Sequence, residues 1–413
     1  MIYPSPMPEL PHPPRRFLGI VLGLVIGLGA CQRCCWAQSW SLTTVDFKSE
    51  RVTLNSISPD AVVVSTEASP NRRIPMGQFL MIERVDASSP APGKFIAMLA
   101  GNDVAVGEPR AIKGDNLIWE NPILGELSLP IKTVQGISAA TLGEPAVDSP
   151  ARRTEDVVVM ANGDTMRGII ADIDAASVSI QPTGSPATRV PIENVRKITF
   201  AQIGSAAPEA RQRGFNVRLS DRTTLSATAA TLDSDTFSIT LPGGAARKVP
   251  AAAVHSIEQI NGPVVWLSSL APSESISKPF LELSWPPRMD RAVDGEPIRI
   301  GEEVFARGIG VHAYSRLSFP VDPAAKAFRT RYAIAGDWPY ANVTVRIKLD
   351  DKVVHEMADV RSGSPSTPVI IPIQGEKKLT LEVDYGQNYD VQDRLNWIEP
   401  AFLNFTPAMP ATP

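Results

Sequence analysis

The stretch Arg307-Gly-Ile-Gly-Val-His-Ala-Tyr-Ser-Arg316 is the most distinctive part of this 413-residue chain. Around it, apolar and polar residues alternate, most clearly over residues 317–319, 341–349, 368–373 and 378–383. A period of two is typical of half-buried strands. Asp350-Asp351 separates two such runs and predicts a hairpin turn. About eight strands without a convincing helix over residues 264–405 predict a two-sheet sandwich of the jelly-roll type.

The central motif of this region, Gly308-Ile-Gly-Val-His-Ala-Tyr-Ser315, resembles the NPCBM/NEW2 family. That family comprises carbohydrate-binding modules of galactose-binding-like jelly-roll fold, found attached to glycoside hydrolases and in secreted bacterial proteins. Further matches follow in family order, at residues 266–272, 290–291, 297–300, 349–352 and 393–397. The resemblance covers about a third of the chain, and it implies a C-terminal domain that recognises carbohydrate.

Two departures from the family pattern bear on the sugar site. The family has Gly-Ile-Asp after a Phe-containing strand, whereas residues 328–335 read Phe-Arg-Thr-Arg-Tyr-Ala-Ile-Ala and Gly336-Asp337-Trp338 is displaced. The family often ends in Asp-His-Ala-Asp-Trp, whereas Asp393-Arg-Leu-Asn-Trp397 stands here. Both changes replace polar groups that face ligands, so the sugar site is not simply inherited from the family.

Candidate sugar-binding residues are those able to form an aromatic platform with polar groups beside it. Sugar sites in β-sandwiches combine aromatic faces with amides, carboxylates or arginine, carried on the loops at one end. On that basis the predicted carbohydrate-binding residues are Trp338, Tyr340, Asn388, Tyr389, Asp390, Asp393 and His312. His312 also fits a structural role in a turn, and Trp285 fits core and surface equally. Trp397, in an apolar strand, is expected in the core.

The run Asp384, Asn388, Asp390, Asp393 and Asn396 is rich in oxygen ligands. Calcium prefers such ligands, but turn-forming Asp and Asn explain the same composition, and the spacing fits no calcium loop. No cofactor and no metal site are therefore predicted, with a structural calcium ion left open. The four histidines show no metal-ligand spacing, and the chain has no nucleophile elbow or phosphate loop, so we expect no enzymatic activity.

Upstream of this domain the sequence repeats itself. Each copy has an aliphatic residue, a proline, an apolar residue four positions after the proline and another three further on. The four copies recur roughly every 60 residues, and they contain Pro75 with Phe79 and Ile82, Pro130 with Val134 and Ile137, Pro191 with Val195 and Ile198, and Pro250 with Val254 and Ile257. In the third copy, Asn162-Gly163 predicts a hairpin and Gly168 a bend. Four or five short strands per copy predict small barrels of the SH3-like or Sm-like kind, closed without free edges.

Relatives of such barrels bind RNA, but these copies lack a basic stripe interleaved with aromatic residues. The full chain has a formal net charge of −4. Removing residues 1–37 would leave the remainder more acidic, so no nucleic-acid partner is expected. The barrels are expected to act as spacers or protein-contact modules.

The N-terminal segment predicts export. Arg15-Arg16 precede the apolar run 17–30, which is shorter than the roughly 20 residues of a membrane-spanning helix. Two processing routes compete, since Leu28-Gly-Ala-Cys31 resembles a lipobox and Cys35-Trp-Ala37 ends in a small residue; a retained anchor is a third route. All three cysteines lie in this segment, so no disulfide framework is expected in the folded part.

The predicted organisation is all-β. It comprises a signal peptide (1–37), barrel repeats 1 to 4 (39–85, 93–139, 154–202 and 213–261), a jelly roll (264–405) and a disordered tail (406–413). Stretches rich in Pro, Ser, Ala and Gly predict linkers at 87–93, 138–154, 204–208 and 268–279. The leading hypothesis is a secreted or periplasmic binding protein for carbohydrate or polysaccharide, with a membrane link only through lipid at Cys31. The alternative is a structural component of the cell envelope that contacts an envelope protein.

Overall fold

The computed structural model describes residues 39–85, 93–140, 154–201, 213–278, 280 and 285–407. These residues form β-strands joined by turns and short 3-10 helices, which confirms the all-β prediction. In this part of the chain no helix has the length and apolar character needed to cross a membrane. The predicted export segment with its cysteines lies outside the described residues, as do most of the predicted linkers at 87–93, 138–154 and 204–208 and the last residues of the tail.

Repeats 1 and 2 each contain five strands. Those of repeat 1 are β1 (Ser39–Thr44), β2 (Ser49–Ile57), β3 (Ala61–Ser65), β4 (Arg72–Pro75) and β5 (Phe79–Arg84). Those of repeat 2 are β6 (Phe95–Leu99), β7 (Val104–Lys113), β8 (Asn116–Asn121), β9 (Gly125–Pro130) and β10 (Val134–Ala139), with 3-10 helices at Ala100–Asn102 and Ile131–Thr133.

Repeats 3 and 4 follow the same plan. The strands of repeat 3 are β11 (Asp156–Met160), β12 (Thr165–Ile173), β13 (Ser177–Gln181), β14 (Thr188–Pro191) and β15 (Val195–Thr199), with a 3-10 helix at Ile192–Asn194. Those of repeat 4 are β16 (Gly214–Leu219), β17 (Thr224–Ala227), β18 (Ala229–Asp233), β19 (Thr236–Thr240), β20 (Ala246–Pro250) and β21 (Val254–Ile260), with a 3-10 helix at Ala251–Ala253. At the predicted bend, a Cβ on Gly168 would lie 2.2 Å from the Gln181 carbonyl oxygen, so only glycine fits there.

The strand order is the same in all four repeats if β17 and β18, which are separated by Thr228, are counted together as the second strand of repeat 4: the last strand pairs with the first, and the first, second, third and fourth follow in sequence. The repeated proline is the final residue of the fourth strand, where its missing N–H ends the ladder. Within the described residues, no ladder joins the fourth strand of a repeat to its last. The sheet therefore differs from the closed barrel predicted, and the last strand keeps an edge free for another partner.

That free edge is used to pair the repeats with one another. β5 of repeat 1 pairs antiparallel with β21 of repeat 4, with Ile82 directly opposite Ile257. β10 of repeat 2 pairs with β15 of repeat 3, with Ile137 directly opposite Ile198. These four isoleucines are the last position of the repeated motif, and all are buried. The motif thus marks a pairing surface, and the two outer repeats enclose the two inner ones in sequence.

Each pair of repeats has one continuous core. Repeats 1 and 4 share a cluster that includes Trp40, Phe79 and Phe237, and repeats 2 and 3 share one that includes Trp119 and Ile173. A buried polar network joins repeat 2 to repeat 4. The Asn121 side-chain amide donates to Asp221 Oδ2 at 3.0 Å and Thr223 Oγ1 at 2.9 Å. Asn121 Oδ1 accepts hydrogen bonds from the backbone N–H groups of Ile123 and Leu124, so this network is well satisfied.

The C-terminal region is a two-sheet sandwich, as predicted for residues 264–405. Its strands are β22 (Val264–Trp266), β23 (Glu274–Ser277), β24 (Arg288–Met289), β25 (Ile298–Ile300), β26 (Glu303–Phe305), β27 (Gly308–His312), β28 (Ser315–Pro320), β29 (Ala327–Ile334), β30 (Val343–Leu349), β31 (Lys352–Val360), β32 (Val369–Pro372), β33 (Lys378–Tyr385) and β34 (Arg394–Leu403). One sheet has the order β24-β27-β34-β29-β32, with β22 also beside β34, and the other has the order β23-β28-β33-β30-β31. A 3-10 helix spans Leu267–Ser269, and β25 pairs with β26.

The sandwich core follows from the alternation in its strands. In β30 the residues Val343, Val345 and Ile347 are fully buried, while the polar residues between them face outward. Trp397 is also fully buried and packs edge-on against Tyr332, with ring centroids 5.9 Å apart. The prediction of Trp397 as a core residue is confirmed. Asp350 and Asp351 both adopt positive φ at the predicted hairpin turn.

The predicted linker at 268–279 is wrong. Leu267 and Leu270 are buried in the sandwich core, and β23 forms the edge of one sheet. Only residues 261–263 separate β21 of repeat 4 from β22 of the sandwich. The composition of residues 268–279 predicted a linker because apolar residues are few and widely spaced there. One of them, Leu270, nevertheless packs into the sandwich core.

The sandwich is docked on repeats 1 and 4. Phe47 of repeat 1 packs edge-on against Trp266, with ring centroids 5.7 Å apart, and the Arg329 guanidinium lies 3.6 Å from the Phe47 ring centroid. Leu80 of repeat 1 joins Val264, Leu403 and their neighbours in a small buried cluster. The repeats therefore hold the sandwich through packed side chains, beyond the covalent connection.

A buried ion network completes this junction. Glu258 of repeat 4 accepts hydrogen bonds from Trp266 Nε1 at 2.6 Å and from Arg307 Nε at 3.0 Å. Arg307 also forms an ion pair with Glu258 Oε2 and donates to Asp290 Oδ2 at 2.8 Å. Glu258 and Arg307 have little exposed side-chain area. Because Arg307 directly precedes β27, this network anchors the strand that ends at His312.

Candidate functional site

All seven predicted site residues lie at one end of the sandwich. His312 ends β27 and faces Arg394, the first residue of β34. The other six lie on two loops, residues 335–342 and 386–393, which connect strands at the same end. Strands of different sheets thus bring together residues that are up to about 80 positions apart in the sequence, as expected for loops at a sandwich end.

Hydrogen bonds tie the two loops to each other. The Asn388 side-chain amide donates to the Tyr340 carbonyl oxygen at 2.9 Å, and the Tyr340 N–H donates to Gln392 Oε1 at 3.1 Å. Trp338 is fixed by Ser362, whose Oγ accepts from the Trp338 N–H and donates to its carbonyl oxygen. Asn388 therefore acts as a brace between loops, and the site is held in shape before any ligand arrives.

Arg394 is the central residue of the site and was not among the predicted ones. Its guanidinium carbon lies 5.0 Å from the Trp285 ring centroid and 5.2 Å from the Trp338 ring centroid. The Asp294 carboxylate is 3.4 Å away. Contacts of a guanidinium with two indoles are favourable by about 0.5 to 2 kcal/mol each. One guanidinium nitrogen donates to Asp294, and the guanidinium occupies part of the indole surface on which a sugar would otherwise stack.

His312 is nearly buried in this arrangement. Its ring stacks on Trp285, with centroids 5.8 Å apart and planes 16° apart. Nδ1 lies 3.0 Å from the Ala313 carbonyl oxygen, which only accepts, so Nδ1 carries the proton and Nε2 is an acceptor. Burial lowers the pKa of His312, and Arg394 acts in the same direction. The ring is therefore neutral near pH 7, with one acceptor nitrogen beside a cationic donor.

Asp393 lies beneath the site. Its side chain is fully buried, Oδ1 accepts the Asn342 N–H at 2.9 Å, and Oδ2 has no partner among the described residues. Burial raises the pKa of Asp393 to about 7, and the charge of Asp390 adds to the effect. The carboxyl therefore supports the loops from below, and a surface ligand does not reach it in this conformation.

The exposed part of the site is aromatic. Tyr340 and Tyr389 are each 60% exposed, one on each loop. The Tyr389 ring lies 4.6 Å from that of Phe280, at an angle of 31°. Asp390 is next to Tyr389 and accepts the Phe280 N–H on Oδ2 at 2.9 Å. Of the predicted polar residues, Asp390 thus holds a neighbouring segment in place.

The oxygen-rich run does not converge on one point. Asp384 accepts from Arg346 at 2.8 Å, while Asp390 contacts Phe280 and Asn396 is buried within β34. Across the described ranges, no three His, Cys, Asp or Glu side chains are placed to hold a metal ion. The structural calcium ion that the sequence left open is not tested by this arrangement.

The sequence contained a signal for Arg394, since it occupies the second position of the closing motif, where the family often has His. The signal for Trp285 was weaker, because a tryptophan before two prolines fits many positions. Neither residue could be assigned to the site from spacing alone, since their contact joins segments more than 100 residues apart.

The comparison with protein families concerns the C-terminal region. Residues 263–403 match the model of the NPCBM/NEW2 domain, which confirms the resemblance. No curated protein matches the chain significantly. Among solved structures, the CBM51-2 and INT domains of Clostridium perfringens ZmpB are 24% identical with a TM-score of 0.32, covering 42% of this chain and 36% of that one. CBM51 from Clostridium perfringens GH95, in complex with methyl-galactose, is 20% identical with a TM-score of 0.30, covering 34% and 99%. The tandem CBM51 modules of Sp3GH98 from Streptococcus pneumoniae SP3-BS71 are 14% identical with a TM-score of 0.30, covering 66% and 93%.

Proposed function

We propose, from the match of residues 263–403 to the NPCBM/NEW2 model, that this protein binds carbohydrate non-catalytically through the loop end of its sandwich. The observation that carries the proposal is the convergence of exposed aromatic rings with Arg394 and His312 on one end of that sandwich. Aromatic faces pack against the apolar face of a pyranose, while the guanidinium donates to hydroxyl groups and the imidazole accepts from them.

The charges of the site favour a neutral sugar. Arg394 is positive, but the carboxylate of Asp294 lies 3.4 Å from it, and Asp390 lies near His312. An acidic sugar would gain one charge-assisted bond with Arg394 and meet repulsion from both carboxylates. A neutral hexose or N-acetylhexosamine meets no such cost.

Among the described carboxyl groups of the site, the one with a raised pKa, as a general acid needs, is the buried Asp393. Asp393 is protonated below pH 7, but its carboxyl is closed off from the surface and cannot reach a glycosidic oxygen. This supports a binding role for the site.

Export of the protein, by cleavage after Ala37 or by lipid attachment at Cys31, belongs to the same proposal, since polysaccharide ligands lie outside the cytoplasm.

A glycan array probed with the whole chain tests the proposal, followed by calorimetry with methyl-galactose and N-acetylglucosamine. We expect binding to neutral glycans, with Arg394→Ala lowering the affinity at least tenfold because it removes the donor group at the centre. Arg110→Ala, in repeat 2 far from the site, is the matched control and should bind as the wild type does. Absence of binding to every glycan would reject the proposal.

A second candidate function is a structural or protein-contact role in the cell envelope. One observation favours it: Arg394 covers indole surface that a sugar platform would use. Recovery of a defined envelope protein through residues 39–261, without any dependence on sugar, would favour this role over carbohydrate binding.

A further inference from the structure

We propose that Phe280, Tyr385 and Tyr389 form a second subsite beside Arg394 and His312, and that this protein binds a neutral oligosaccharide with two adjacent rings. We call these three side chains the aromatic shelf. The inference rests on the proposed function and extends it, from recognition of a single sugar ring to recognition of a chain of at least two.

The shelf is an assembled surface rather than scattered residues. The Phe280 ring lies 4.6 Å from Tyr389 and 6.2 Å from Tyr385, and Tyr385 lies 6.4 Å from Tyr314. Phe280 is 53% exposed and Tyr389 is 60% exposed, although aromatic rings of this size usually bury most of their area. The exposed rings are in mutual contact, so they present one apolar surface.

The shelf is held in place by bonds that do not involve its ring faces. Asp390 accepts the Phe280 N–H, and the Tyr385 hydroxyl donates to the Lys278 carbonyl oxygen. Tyr389 has a positive φ of 60° and forms an isolated bridge with Gly386, which sets its side chain at the tip of the loop. Fixing rings in advance lowers the entropy cost of binding, as expected of a recognition surface.

The shelf adjoins the Arg394 pocket through a single residue. Asp390 bonds to Phe280 on the shelf, and its charge acts on His312 in the pocket. The loop from Tyr389 to Asp393 leads directly into Arg394. A ring placed at Arg394 would therefore have its neighbour in the chain next to the shelf.

The two halves offer complementary chemistry. The pocket supplies a cationic donor and an imidazole acceptor, but its indoles are partly covered by Arg394. The shelf supplies partly exposed aromatic rings, Phe280 at 53% and Tyr389 at 60%. One sugar ring would be recognised mainly through its hydroxyl groups at Arg394 and His312. The next ring would be recognised through its apolar face, which would pack on the aromatic shelf.

Calorimetry on the whole chain tests the shelf with galactose and N-acetylglucosamine, each compared with its β-linked disaccharide and trisaccharide. We expect one series to bind, with the disaccharide at least about tenfold tighter than the monosaccharide and little gain for the trisaccharide. Phe280→Ala should remove most of that gain, and Tyr389→Ala should weaken disaccharide binding more than monosaccharide binding. Val391→Ala, an exposed apolar residue on the same loop, is the matched control and should change neither.

The outcomes distinguish a failure of carbohydrate binding from a failure of the second subsite. If no sugar of either series binds, the proposed function fails, and the shelf fails with it. If a monosaccharide binds as tightly as its oligomers, or if the shelf variants weaken both equally, the second subsite is rejected while carbohydrate binding stands. If the shelf variants instead abolish a dimer seen by light scattering, the rings join two copies of the chain and the second subsite is rejected.

Discussion

The repeats and the sandwich differ in how much apolar surface and strand edge they leave exposed. In the repeats, the free edge of each last strand is covered by the equivalent strand of another repeat, and only Val85 and Ile169 are large exposed apolar residues among those described. Among the described residues of the sandwich, eight large apolar or aromatic side chains are exposed, and four of them, Phe280, Tyr340, Tyr389 and Val391, lie at the loop end. Surfaces that are satisfied internally are typical of a support, and exposed rings on fixed loops are typical of a binding site.

The buried polar groups of the two regions differ less sharply than their exposed surfaces. Asn121, Asp221 and Thr223 between repeats 2 and 4 satisfy one another through several hydrogen bonds. Under the loop end of the sandwich, one oxygen of Asp393 has no partner among the described residues. Unpartnered buried side-chain atoms also occur in the repeats, at Arg72 Nε and Ser138 Oγ, so this feature alone does not mark the loop end as a functional site.

The largest effect is expected at the junction of the two regions. Arg307→Ala leaves the buried Glu258 without its charged partner, and breaking a buried pair costs about 3 to 5 kcal/mol of the free energy of unfolding. Denaturant unfolding followed by tryptophan fluorescence measures it. Lys94→Ala, in the exposed pair with Glu108 of repeat 2, is the control and should cost less than about 1 kcal/mol. Equal losses in the two variants would show that the sandwich is not locked to the repeats by Glu258.

The second test concerns the pairing of repeats. Ile137→Ala removes a fully buried side chain from the contact with Ile198 and should cost about 2 to 5 kcal/mol. Ile169→Ala makes the same substitution at a position 71% exposed, in repeat 3, and should change the free energy by less than about 0.5 kcal/mol. If Ile137→Ala proved as harmless as Ile169→Ala, the inter-repeat ladder would not contribute to stability.

The third test uses the titration of Asp393. Its pKa rises from 3.8 in the unfolded chain to about 7 in the folded protein. Between these values the folded protein keeps a proton that the unfolded chain has lost, so this group lowers stability as the pH rises from about 4 to 7, with a slope of up to about 1.4 kcal/mol per pH unit. Asp393→Asn should remove that slope. The difference between wild type and variant isolates this group from His312, whose lowered pKa acts in the opposite sense. Parallel pH profiles would contradict the burial of Asp393.

Much of the fold could be predicted from the sequence because its signals are local. The proline and isoleucine of each repeat mark the end of one strand and the buried centre of the next, and both follow from spacing. Alternation identified β30, and the paired aspartates identified the turn after it. The two loops that carry the predicted site residues lie at one end of the sandwich, as expected, and their binding role stays a prediction.

The pairing of repeats could not be predicted, because all four last strands carry the same motif and any two would match equally well. Their choice depends on packing across the whole molecule, including the Asn121 network. Arg394 was missed for a related reason. A charged residue is predicted to lie on the surface unless its contacts are known, and here two tryptophans from distant segments lie beside it.

The enclosure of repeats 2 and 3 by repeats 1 and 4 has a consequence for how the chain matures. Glu83 and its partner His255 are 172 residues apart, so β5 must wait for most of the repeat region to be synthesised before its edge is covered. The inner repeats meet much sooner, which predicts an inside-out order of assembly, with long-range closure as the slow step. Until β5 pairs with β21, the first repeat exposes an unpaired strand edge to other nascent chains. The yield of folded protein would therefore depend on how quickly the fourth repeat is synthesised and folds.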